Sequence, residues 1–225
     1  MSHLHVPDGI LPAWLWGSGL LVALVLLTWT SRPPAPQRLA YRGALGGLML
    51  GAMAVPLGPV EYHLTLAGPL GVLLGPTGAL QVAFIVSAIL ALMGHGGVTA
   101  IGLNTLILGI AAAIAHPTYR WLASALKPPA AIAAATAAGQ LVAGGMWFVL
   151  VTTALRRPPA GAHGHPHSAG MEWFAALAVP LWLIGLLVEA VVAFGIARFL
   201  VRVHPALLPP PFGGPHTAAP AGEPA

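Results

Sequence analysis

Residues 11–30 contain no charged side chain and only three hydroxyl groups. A helix of that length rises about 30 Å, the thickness of a bilayer's hydrocarbon core. Similar stretches recur at 43–59, 64–76, 79–94, 98–115, 130–153 and 173–200. Only 6% of the residues are charged, against roughly 25% in soluble domains. The chain therefore reads as an all-α polytopic membrane protein of about seven transmembrane helices, since a helix satisfies its own backbone groups in lipid. The first run lacks a basic leader and a small-x-small cleavage site, which predicts a retained helix and not a signal peptide. Segments 64–76 and 79–94 are short and are separated by Gly75, Pro76, Thr77 and Gly78. That interruption predicts a tilted, broken or partly re-entrant element. Gly43, Gly46, Gly47, Gly51 and Ala52 predict close helix packing.

The basic residues set an orientation. Arg32, Arg38 and Arg42 lie between the first two segments, Arg120 and Lys127 between the fifth and sixth, and Arg198 and Arg202 at the end of the seventh. With seven crossings all of these share one side, which the positive-inside rule makes cytoplasmic. Only Arg156 and Arg157 fall opposite. The amino terminus is then outside and the carboxyl terminus cytoplasmic. Residues 1–204 read as one membrane domain, and 205–225, rich in proline and glycine, as a disordered cytoplasmic tail. The net charge of +4 sits at helix ends and forms no face for nucleic acid.

The same topology gathers histidines. His3, His5, His63, His95, His163, His165 and His167 fall on the outer side, leaving His116, His204 and His216 inside. With no cysteine in the chain, any metal must be held by nitrogen or oxygen, a set suited to divalent nickel, copper or cobalt. At the start, Met1-Ser2-His3 offers a terminal amine, backbone amides and an imidazole that close fused chelate rings. Four nitrogens complete a plane if Met1 is retained. If it is removed, Ser2-His3 supplies three and leaves one corner for a distant ligand. His63 is the candidate for that corner, with Asp8 and Glu61 orienting imidazoles behind it.

His95 stands in Gly94-His95-Gly96-Gly97, a sequence for tight turning, and Asn104 lies two turns into the next helix. These two read as support for the capture loop, with a packed interhelical turn as the plainer alternative. Glu189 is the only acid well inside a span. Such acids are paired or functional, and the expectation is an interhelical donor such as Asn104, or a partner subunit, away from the metal tip. The tract holding His163, His165 and His167 reads as a flexible scavenger of metal or a plain linker. The chain has no phosphate-binding loop, no Ser/His/Asp or His-Glu-x-x-His constellation and no ladder of intramembrane acids.

Three stretches resemble the substrate-capture subunit of cobalt and nickel energy-coupling-factor transporters, the CbiM/NikM family. They are His5-Val6-Pro7-Asp8-Gly9-Ile10-Leu11, the run from His63 through Gly94-His95-Gly96-Gly97 to Gly102-Leu103-Asn104-Thr105, and Val188-Glu189-Ala190 through Arg202-Val203-His204-Pro205. The resemblance covers about residues 4–208. It implies capture of Co²⁺ or Ni²⁺ at the outer face for ATP-driven uptake, supplying cobalamin synthesis or nickel enzymes. The implied partners are a transmembrane coupling subunit, cytoplasmic ATPases, a small additional subunit and membrane lipid, in the inner membrane of a bacterial or archaeal cell. No organic cofactor and no enzymatic activity are implied. The family's ligands carry over to the chain's first residue, to His5 and to His63. The competing classes are an intramembrane metalloenzyme using His63 and His95, and a metal-independent scaffold.

Two positions depart from the family pattern. Ile107 stands where an asparagine is common, and His5 is fifth where the chelate wants a histidine directly after the first residue. Initiation at the codon of Leu4, read as methionine, would open Met-His-Val-Pro-Asp-Gly and restore the chelate. Starting at Met1 and losing it would recreate the same chelate on Ser2-His3. Initiation at codon four is the expected result, and the intact mass of protein made from the native gene distinguishes the cases.

Overall fold

The computed structural model describes residues 11–31, 35–57, 62–155 and 168–212. They form α1 (Ala13–Thr30), α2 (Pro36–Ala54), α3 (Ala67–Leu92), α4 (Ile101–Leu122), α5 (Pro128–Leu155), α6 (Ser168–Val203) and a closing 3-10 turn, Pro205–Leu207. All but α2 are long and apolar enough to cross a membrane. The first turns of α2 carry Gln37, Arg38 and Arg42.

Six helices stand where seven segments were expected, because 64–76 and 79–94 join as α3 through the expected break. At the break Gly75 is non-helical, with φ 71 and ψ 168. An unbroken α3 would separate residues 71 and 80 by about 13 Å along its axis. Yet Gly71 meets Ala112 and Leu80 meets Gly109, positions one turn apart on α4. The chain doubles back at Gly75, and both arms of α3 lie along α4. These dihedrals are nearly exclusive to glycine. Gly75→Ala is therefore expected to cost about 1–3 kcal/mol, read as a lower thermal midpoint in detergent.

Helix ends follow local chemistry. Pro36 starts α2, where a missing N–H is harmless. Val55 is extended at φ −100 and ψ 117, as the residue before a proline prefers, so α2 ends earlier than the apolar run. α4 runs past the expected 115 to Leu122 with Pro117 inside it.

α4 is the centre of the bundle. α3 and α5 pack on it, α1 lies against its first turns, α6 packs on α5, and α2 packs on α3. The contacts are close because small residues face each other. A Cβ on Gly102 would run into the backbone of Leu20, and Gly19 in turn receives Leu103.

The expected tail does not begin as disorder. Phe212 N donates to Arg120 O at 3.1 Å, Arg120 Nε donates to Pro210 O at 3.2 Å, and the Arg120 guanidinium lies 4.1 Å from the centre of the Phe212 ring. Leu208 packs against the core cluster of Tyr119, Ile132, Ala193 and Ala197. The first eight residues of the tail thus dock on the end of α4, and 213–225 lie outside the described residues.

Candidate metal centre

The connection from α2 to α3 carries the centre. Val55 and Pro56 leave the helix extended, and Leu57 pairs with Tyr62 through two backbone hydrogen bonds of 2.7 and 3.0 Å. This pairing turns the chain back over the end of α2. His63 comes to rest 91% buried, with Nδ1 2.6 Å from Met53 O. That carbonyl is one of the last four of α2, which have no partner within the helix. A carbonyl only accepts, so the proton of the neutral imidazole sits on Nδ1 and the lone pair on Nε2. Metal-binding imidazoles are commonly held in this manner, with one nitrogen on a carbonyl and the other turned to the ion.

His95 joins from the turn after α3. Gly94 at φ 80 and Gly96 at φ 100 flank it, both in the left-handed region that glycine alone enters freely. His95 N donates to Leu90 O at 2.8 Å. The rings of His63 and His95 stand edge to face, with centroids 5.9 Å apart and planes at 70°. His63 is buried and His95 exposed. Asn104 is 3% exposed in the first turns of α4, next to Leu103 in its contact with α1. Met1, His3, His5, Asp8, Glu61, His163, His165 and His167 lie outside the described residues.

Under His63 lies a buried polar cluster. Thr65 N and Leu66 N both donate to the Glu189 carboxyl group, the second at 3.3 Å. Gln140 Nε2 donates to Thr65 Oγ1 at 2.6 Å, and Tyr62 OH donates to Gly185 O at 3.1 Å. Burial, and secondarily the charge of Glu189, push the Tyr62 phenol up from its ordinary value, so the hydroxyl stays a donor. The expectation for Glu189 is corrected here. The carboxyl is bonded to the loop that carries His63, and not to Asn104. Backbone amides are the donors, and a sequence does not mark them. Gln140 was overlooked although it is detectable, being an amide in an otherwise apolar span, subject to the rule that singled out Glu189.

Residues 5–207 match the model of CbiM, the cobalt uptake substrate-specific transmembrane region. The chain belongs to the CbiM family. It is a multi-pass membrane protein of a cobalt uptake family. The CbiM fold is also found in two solved structures. One is described as a crystal structure of a transition metal transporter, with a TM-score of 0.76, 20% identity, and coverage of 88% of this chain and 93% of that one. The other, of a truncated transition metal transporter, has a TM-score of 0.77, 19% identity, and coverage of 89% and 99%. No curated protein matches. Among the described residues of this CbiM member, no three His, Cys, Asp or Glu side chains converge. Within that set, His63 and His95 stand with their rings in contact.

Proposed function

We propose that the chain is the substrate-capture subunit of an energy-coupling-factor transporter, binding Co²⁺ or Ni²⁺ at the outer face. One observation carries the reading: a buried histidine ring fixed through Nδ1 to the Met53 carbonyl, at the same end of the bundle as His95. His63 supplies one corner of the site. The terminal amine and the nitrogens of His5, or of Met1, Ser2 and His3, supply the others. Asp8, Glu61, His95 and Asn104 support the loop around them.

In this reading α2 and the two arms of α3 count as separate segments of the membrane domain, seven in all, with the amino terminus outside. The bonded trio of Arg42, Gln81 and Thr30, with Arg42 Nη1 to Gln81 Oε1 at 2.6 Å and Gln81 Nε2 to Thr30 O at 3.1 Å, supports assigning its end of the bundle to the cytoplasm, since it holds a basic residue. Met53, His63 and His95 are then at the outer end. Energy comes from partners: a transmembrane coupling subunit, cytoplasmic ATPases and a small accessory subunit, in the inner membrane of a bacterial or archaeal cell. The ion is cargo, and no organic cofactor takes part.

Vesicles holding the chain with its coupling and ATPase subunits are expected to accumulate radioactive nickel or cobalt only with internal ATP. Accumulation without the chain, or none with the full set, contradicts the proposal. Deleting 163–167 is expected to leave one tightly bound ion per chain in equilibrium dialysis. Loss of that ion would assign the tract to the site.

A further inference from the structure

Resting on the reading of His63 as a ligand, we propose that Glu189 is its positioning residue, a carboxyl group that holds the capture loop through two backbone amides.

The loop is tied down on both sides of His63. Before it, Tyr62 OH bonds Gly185 O, and the phenol ring lies where a Gly185 side chain would begin, with Tyr62 Cε2 2.5 Å from an ideal Cβ. After it, Thr65 N and Leu66 N bond Glu189. Gly185 and Glu189 are four residues apart, one above the other on the same face of α6. A single strip of α6 therefore grips residues 62, 65 and 66, while α2 holds the His63 ring itself through Met53 O. Gln140 of α5 completes the grip at Thr65 Oγ1. These groups are deep in the protein: Glu189 is 0% exposed, Gln140 2% and Thr65 3%.

Leu66 shows why the grip is needed. Its φ of 52 and ψ of 14 place it in the left-handed region, which bulky residues seldom enter without outside support. The two amides on Glu189 are those of Leu66 and its predecessor. Without the carboxyl group, Leu66 can return to an ordinary conformation and carry His63, three residues away, with it.

A carboxyl group suits this task better than an amide. It accepts at both oxygens, whereas glutamine keeps one acceptor and turns an N–H₂ toward a backbone donor. Two donors facing each other in a buried site are unfavourable. Glu189→Gln thus preserves shape while undoing the hold.

The test is nickel chloride titration of the purified full chain in detergent by calorimetry, with ligand-field absorption recorded in parallel. Glu189→Gln is expected to keep one ion per chain, weaken affinity about 10–100-fold as losses of outer support do, and shift the ligand-field bands. A folded Glu189→Gln protein with wild-type affinity and bands overturns the proposal. A protein that is merely less stable, with unchanged bands, also overturns it, since geometry at the ion is the readout. If Glu189→Gln does not fold, Tyr62→Phe and Thr65→Val decide. Each removes one tie from the strip or from Gln140 and is expected to weaken affinity several-fold, and wild-type values in both overturn the proposal. His63→Ala run alongside separates the two readings: no effect there removes the capture function itself. Full loss there with a wild-type Glu189→Gln removes only the role of Glu189.

Discussion

His63→Ala is expected to abolish tight binding of nickel and cobalt while leaving the protein inserted and folded. Removing an outer partner of a ligand costs about 10–100-fold in affinity, and removing the ligand itself should exceed that. The ring is buried against α2 with Nδ1 on Met53 O, so the substitution removes an imidazole held in a fixed position. Alanine leaves a small cavity beside Met53, and the helices around it keep their contacts. His95→Ala should act more mildly, because His95 is exposed on a glycine turn and touches the site through its ring contact with His63. Calorimetric titration of both variants gives the answer. Wild-type affinity in His63→Ala would remove this histidine from the site.

The second large effect is on stability. Ala111 and Ala112 of α4 are pinched between two helices. A Cβ on Gly71 of α3 would collide with the Ala112 backbone, and one on Gly139 of α5 with the Ala111 carbonyl. A side-chain tip in the way could rotate aside, but these are backbone atoms in the middle of the bundle. Overpacking ordinarily costs about 1–3 kcal/mol, and two rigid backbones place Gly71→Val and Gly139→Val at or above the upper end. Both are expected to lower the thermal midpoint sharply or to yield aggregated protein on size-exclusion chromatography. Gly51→Ala, where nothing lies within 4 Å, should be nearly silent. A normal midpoint in the two valine variants would mean that α4 is less tightly held than the geometry shows.

Much of this arrangement is legible in the residues, for physical reasons. Apolar runs give the helices because lipid forces backbone groups to pair within a segment. Gly75 and Pro76 mark the reversal in α3 because few residues tolerate the dihedrals found there. Alternating passes bring His63 and His95 to one end without any local signal between them. The edges were less legible. α2 begins at Pro36 among polar residues because proline favours a first turn, which hydropathy does not register. The partners of His63 and Glu189 were not legible at all, since the Met53 carbonyl and the amides of Thr65 and Leu66 belong to the backbone. The docking of Phe212 on Arg120 was likewise hidden in a segment whose prolines and glycines read as disorder.

His63 and the start of the chain are proposed to hold one ion together at the outer face. Nickel bound to the purified full-length protein tests it most directly, by X-ray absorption and magnetic measurement on the same sample. One nickel per chain is expected, surrounded by four nitrogen ligands in a plane and diamagnetic, with His63→Ala disrupting that environment. Paramagnetic nickel surrounded mainly by oxygen, or a four-nitrogen plane that survives His63→Ala unchanged, would contradict it.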